Sequence, residues 1–131
     1  MVVLAVDVGT VRVGCASAES SVRISFPVAV WPRAKNEAEV ALLQEIVARK
    51  AELLVVGMPF GPNGEHTTMC DHVENFVRRI SKRSPIQIAI VDESFSSDEA
   101  SKKVSSSSSG REIDAYAACL ILDRYFEENP A

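Results

Sequence analysis

Three acidic positions, far apart in a chain of 131 residues, carry the strongest chemical signal. Asp7 interrupts the apolar run in VVLAVDVGTVRVG (residues 2–14), which otherwise reads as a strand buried on both faces. A lone carboxylate buried there costs several kcal/mol unless it is paired, hydrogen-bonded or holding a metal. Asp92 and Glu93 close a second apolar run, IQIAIVDE (86–93), and Asp114 lies in the opening turn of the last helical stretch. Functional groups of open α/β sheets collect beyond the carboxyl ends of parallel strands. Asp7, one of the 92/93 pair and Asp114 are therefore expected to meet. Side chains alternate along a strand, so at most one of Asp92 and Glu93 faces such a site. Neighbouring carboxylates repel one another unless a cation lies between them. Mg²⁺ and Mn²⁺ take oxygen ligands from one or two carboxylates and leave room for water and phosphate. Two such ions, ~3.5–4 Å apart, would stabilise both the attacking and the leaving oxygen in phosphodiester cleavage. Taken singly each acid also has a plain role, Asp7 in serving the Gly9-Thr10 turn and Asp114 in complementing a helix dipole. Their combination favours chemistry.

The elements that must position these acids follow from the hydrophobic period. Strands are expected at 2–7, 11–18, 24–30, 53–57 and 86–93, with the third at a sheet edge because Pro27 lacks a ladder donor. A capping box of Asn36 and Glu39 opens a first helix with Val40, Leu43 and Val47 on its inner face. A second starts near Thr67 and turns Met69, Val73, Phe76, Val77 and Ile80 inward. Ser96 and Glu99 form another capping box for a short helix through Val104, and SSSSSG (105–110) reads as a mobile loop. The final helix spans about 111–127, with Ile113, Ala117, Leu120 and Tyr125 available to the core. An antiparallel meander followed by strand–helix–strand crossovers gives a mixed α/β sheet covered by helices.

Length and a 47% apolar content suit one folded domain over residues 1–131. A net charge of -4 argues against a uniformly basic nucleic-acid coat but leaves room for a local patch. Cys15, Cys70 and Cys119 have no CxxC spacing and read as buried small hydrophobes in a reducing compartment. There is neither a signal-peptide pattern nor a run near the ~20 apolar residues that a membrane helix needs. The expectation is a soluble, cytoplasmic protein with no membrane partner.

DVGTVRVGCA (7–16), VVGMPFGPNG (55–64), VDESFSSDEA (91–100) and IDAYAACLIL (113–122) resemble, in order and spacing, the four signature blocks of the YqgF (RuvX) family. Members of that family are described as Holliday-junction resolvases or pre-16S rRNA nucleases. The resemblance covers essentially the whole chain. It implies a ribonuclease H-like fold, a bacterial origin and a cytoplasmic location. It also implies that Asp7, Glu93 and Asp114 are the catalytic, metal-binding acids, with Asp92 the weaker member of its pair. The chain departs from the family pattern at Ser94, where arginine is usual, at Val11, where a basic residue often stands, and in the serine tract, where the loop is commonly basic. All three departures remove positive charge and leave the acids intact.

The function expected on these grounds is a divalent-metal-dependent nuclease using Mg²⁺ or Mn²⁺, with two ions, in processing of the 5′ end of pre-16S ribosomal RNA. RNA is the favoured partner and branched DNA an alternative. A structure-selective Holliday-junction resolvase would need two symmetric cuts and hence a dimer, so the chain is expected as a monomer or homodimer. A non-catalytic nucleic-acid-binding module is the alternative from another class. Arg12 or Arg111 is the candidate to hold the scissile phosphate. RRISKR (78–83) offers either a dipole complement or a phosphate-contacting patch. His66 reads as a solvated loop residue, Trp31 as packing, and Gly57 and Pro59 as shaping the loop beside the site.

Overall fold

The apolar run containing Asp7 becomes the middle strand of a five-stranded sheet in the computed structural model, which describes residues 1–93 and 110–130. The strands are β1 (Val2–Val8), β2 (Arg12–Glu19), β3 (Phe26–Pro32), β4 (Ala51–Met58) and β5 (Gln87–Asp92), in the spatial order β3-β2-β1-β4-β5. β1, β2 and β3 pair antiparallel, whereas β1–β4 and β4–β5 are parallel. This is the meander followed by parallel strands that the sequence predicts. Pro27 lies on the edge strand opposite Ala16, and the register slips between Cys15 and Ala16, where proline cannot complete the ladder. The helices are α1 (Glu37–Arg49), α2 (Thr68–Ser81) and α3 (Gly110–Glu128).

Alternation along the strands sorts the core into two layers. Leu4, Val6 and Val8 of β1 join Leu54 and Val56 of β4 beneath α1 and α2, with Leu42, Ile46, Phe76 and Ile80 packed on them. Val3 and Ala5 point the other way and join Ala16, Ala18, Val55 and Val91 under Ala118, Ile121, Leu122 and Phe126 of α3. Buried Ala117 and Leu120 agree with the expected inner face of α3. Helix α2 starts where expected, with the Thr67 hydroxyl accepting a hydrogen bond from the Cys70 amide. All three cysteines are buried free thiols, and burial pushes Cys15 up to about 12, which makes it chemically inert. Among the described residues no helix is long and apolar enough to cross a membrane.

Helix α1 corrects the sequence reading. Val40 and Val47 are exposed, and Ala38, Glu39, Leu42 and Ile46 face inward instead. Two apolar stripes compete on this helix, and the entry from β3 chooses between them. The chain turns through Ala34–Asn36, with Lys35 and Asn36 both in the left-handed region, so Asn36 makes no side-chain cap. Without the capping box Glu39 is released from the helix end and turns into the protein. The proposed helix at 96–104 and the serines 105–109 lie outside the described residues, as does Ser94; Gly110 is the first residue of α3.

Gly14, on the α3 side of β2, determines how closely α3 can lie on the sheet. A Cβ added there would stand 2.2 Å from the Asp114 carbonyl oxygen and 2.7 Å from its carbon. Backbone cannot move aside as a side chain can, so Gly14→Ala should destabilise the fold by about 1–3 kcal/mol. Urea titration should show a lower midpoint at unchanged slope.

Candidate active site

The parity that buries Val3 and Ala5 beneath α3 also puts Asp7 on the α3 side of the sheet, one residue before the end of β1. On β5, Val91 is packed in the same layer, and Glu93 follows it by two residues. The Glu93 amide donates to the Met58 carbonyl at 3.2 Å, which extends the β4–β5 pairing by one residue and keeps that parity. Glu93 is consequently buried while Asp92 is exposed, and the Asp92 carbonyl accepts a hydrogen bond from Arg124.

Two glycines make room for the acids. A Cβ on Gly57 would lie 2.7 Å from Glu93 Cδ and 2.5 Å from Ile121 Cδ1, so the Glu93 side chain crosses β4 where no side chain stands. Gly57 is thus a strand residue under the acid, not part of the following loop. Gly14 pairs with Asp7 across β1–β2 and lies against the Asp114 backbone. Asp7, Glu93 and Asp114 together line a cavity of about 310 Å³, whose remaining wall includes Gly9, Pro59, Phe60 and Met69. An isolated glycine inside a strand pattern signals a close approach of another segment, and Gly14 and Gly57 are the positions that the sequence reading left unused for this purpose.

Asp7 is the electrostatic centre of the group. Burial raises its pKa above the ordinary value, a hydrogen bond with the Glu93 side chain partly opposes this, and the negative charge of Asp114 raises it further. Two ionised carboxylates have only acceptors, so a hydrogen bond between them requires a shared proton. Asp114 instead faces a cation, with Arg12 Nε 2.7 Å from Asp114 Oδ2. Arg12 is itself held by the turn, since its carbonyl accepts the Gly9 amide at 2.9 Å. Arg33 braces the same turn by donating from Nη1 to the Gly9 carbonyl at 2.8 Å. Arg111 belongs to the first turn of α3, but its side chain lies outside the described residues.

An all-oxygen set of three carboxylates suits a hard divalent cation. The set is open rather than closed, because Asp114 is drawn toward Arg12. Among the described residues, the trio whose ligand atoms all lie within 4.8 Å of one another is His66, Asp71 and Glu74 on the surface. His66 Nε2 is 2.8 Å from Asp71 Oδ1, a bond that raises its pKa, so His66 is a paired residue clasping its loop to α2. Trp31 packs at the edge of the α1–α2 layer, as expected. In the 78–83 segment Arg78 bonds Asn75 and Arg79 approaches Glu39, while Lys82 and Arg83 line a second cavity.

A family model described as RuvX, Holliday junction resolvase, matches residues 1–128. A relative from Clavibacter sepedonicus named as a pre-16S rRNA nuclease is 35% identical over 135 residues, covering 98% of this chain and 84% of its own. A relative of the same name from Haemophilus ducreyi is 27% identical and covers 98% and 97%. Among solved structures, T. thermophilus RuvC in complex with Holliday junction substrate aligns with a TM-score of 0.62 at 13% identity, over 98% of this chain and 96% of that one. The Fowlpox virus resolvase in complex with its substrate Holliday junction DNA aligns with a TM-score of 0.57 at 12% identity, over 100% of both chains. At these identities the structural likeness establishes the fold, which is ribonuclease H-like.

The raised pKa of Asp7 has a definite consequence for stability. The folded protein keeps this proton after the unfolded chain, with its ordinary value of 3.8, has released it. In the absence of a divalent cation, Asp7 therefore removes stability as pH rises from about 4 until it ionises in the folded state. Asp7→Asn lacks this proton. Unfolding titrations in EDTA at a series of pH values should show the variant gaining on wild type across that window; a pH-independent difference would contradict the assignment.

Proposed function

The chain belongs to the RuvX family of Holliday junction resolvases, and from that premise we propose that it is a divalent-cation-dependent nuclease in which Asp7, Glu93 and Asp114 hold the ion. We assign it to processing of the 5′ end of pre-16S ribosomal RNA in the cytoplasm, with residues 1–131 acting as one nuclease domain. The observation that carries this reading is the convergence of three carboxyl groups, from β1, the end of β5 and α3, on one cavity, with the Arg12 guanidinium beside Asp114. The names of the sequence relatives support RNA as the substrate.

Mg²⁺ or Mn²⁺, when bound, supplies Lewis-acid polarisation of a phosphoryl oxygen and offsets the charge that develops at the leaving oxygen. The residues of the chain do the rest. Asp7 touches both of its fellow acids, through a hydrogen bond to Glu93 and through the field of Asp114. It would be the central ligand of a bound ion, and its raised pKa makes a bare carboxylate there costly, which favours a cation beside it. Arg12 fixes the Asp114 carboxylate in one orientation and leaves its other guanidinium nitrogens to meet a phosphate, a charge-assisted contact that Arg makes well. Arg111 is a second phosphate contact in this reading. Pro59, Phe60 and Met69 form the less polar wall of the cavity and limit its hydration.

A second reading, cleavage of branched DNA, is favoured by the aligned RuvC and Fowlpox virus resolvase structures, whose titles name Holliday junction DNA. End-labelled single-stranded RNA, single-stranded DNA and four-way junctions, each with and without Mn²⁺, separate the readings. RNA cleavage that needs Mn²⁺ is expected. Asp7→Asn should lower it by more than about a hundredfold, with unchanged circular dichroism. Cleavage of none of the three substrates would leave a binding module. Ion binding is checked separately by thermal unfolding. A saturating ion stabilises the folded state by about 2.7 kcal/mol at a hundredfold excess over Kd. Millimolar Mn²⁺ should thus raise the wild-type midpoint by about 10 °C for this size, and move Asp7→Asn much less.

A further inference from the structure

The second cavity, about 280 Å³ in volume, is lined by Asn36, Glu39, Arg79, Lys82 and Arg83 and shares no residue with the acid cavity. Its floor is unusual. Glu39 is 2% exposed, and its Oε1 is fully buried with no hydrogen-bond partner among the described residues. Its Oε2 is 3.5 Å from Arg79 Nη1, well beyond the ~2.7–2.9 Å of a good charge-assisted bond. A buried carboxylate oxygen left unpaired is costly, and in a folded protein it calls for a partner. Three cations, Arg79, Lys82 and Arg83, line the same cavity, and the Arg79 side chain is 53% exposed, which leaves it room to swing aside.

The two halves of the pocket select a ligand by charge. The floor repels a bare phosphate, and the rim repels a simple amine. A ligand that satisfies both carries an anionic phosphate for the rim and adjacent N–H donors for the floor. Among nucleobases, guanine alone presents two neighbouring donors, N1–H and the N2 amino group, to match the two oxygens of a carboxylate. The Watson–Crick edges of the other bases set an acceptor beside each donor and would bring a lone pair against Glu39, which when ionised only accepts. Unstacked bases are commonly bound by their Watson–Crick edge and stacked on an arginine plane, a role open to Arg79. The volume lies just below the ~300–1,000 Å³ of pockets for larger ligands, so one base fits.

We propose that this pocket binds a phosphorylated guanine nucleoside, supplied either as a free nucleotide or as an unstacked guanosine in a bound strand. Only the strand source rests on reading the chain as a nuclease.

The test is equilibrium binding by calorimetry to the wild-type protein in EDTA, where no cleavage takes place, so a failed nuclease assay does not bear on it. GMP, AMP, CMP, UMP and inorganic phosphate are titrated, together with a short uridine RNA carrying or lacking one guanosine. GMP should bind tighter than each other nucleotide by about tenfold or more, as for a good bidentate base contact, and tighter than phosphate. Preference confined to the RNA pair identifies the strand as the source and equally supports the proposal. Glu39→Gln should level the preference, and Arg79→Ala should weaken all four nucleotides. Equal binding of the four nucleotides and of the two RNAs would overturn the proposal and leave a phosphate site only. Absence of binding by all ligands would overturn it as well. The wild-type comparison decides the matter even if Glu39→Gln fails to fold.

Discussion

The backbone of α3 rests directly on β2 because Gly14 has no side chain to hold it away, and the candidate site depends on that approach. Gly14 is the cross-strand partner of Asp7. Wherever α3 touches the sheet at Gly14, its first turn must therefore stand beside the acid of β1. A larger residue at this position would lift Asp114 away from the sheet, even with every strand and helix intact. The second approach, of Glu93 over Gly57, works in the same manner from the other side. Two missing side chains thus do as much to build the cavity as the three carboxyl groups that line it.

Among the described residues the charges gathered there are unbalanced. Burial and the nearby Asp114 both oppose ionisation of Asp7, and the Arg12 guanidinium compensates Asp114. Such a group conflicts with stability, since a fold optimised for stability alone would not hold three acids beside an apolar layer. Local conflict of this kind is concentrated at functional sites. On the proposed reading as a divalent-cation-dependent nuclease the conflict has a use, because phosphodiester cleavage by a divalent ion needs a place where negative charge waits for a cation.

Glu39 shows how a local signal can be overruled. Asn-x-x-Glu before an apolar run satisfies the pattern of a capping box, and the helix does begin at Glu37. Yet Asn36 adopts a left-handed conformation, its side chain caps nothing, and the glutamate turns inward to meet Arg79 across α1 and α2. The buried stripe of α1 runs through Ala38, Leu42 and Ile46, with Leu43 packed partly against the same core and Val40 and Val47 left exposed. Neither stripe is better than the other as a helix. Only the surface beneath them distinguishes the two.

By itself the sequence determined whatever depends on neighbours along the chain. Apolar runs and turn residues marked five strands in their order, Pro27 marked the edge, and alternation required that Asp92 and Glu93 part company. The buried face of α2 followed from its 3.6-residue period, and the order of the signature blocks led to the family. The tertiary structure decided what depends on distance through space. It put Asp7 and Glu93 on the α3 side of the sheet, drew Asp114 to Arg12, and left Glu39 Oε1 without a partner among the described residues. Periodicity tells which residues share a face, because it is written in bond geometry a few residues long. It does not tell which face of one element meets which face of another, since that choice minimises the free energy of the whole packed assembly, in which Gly14 and Asp114, a hundred positions apart, are in contact.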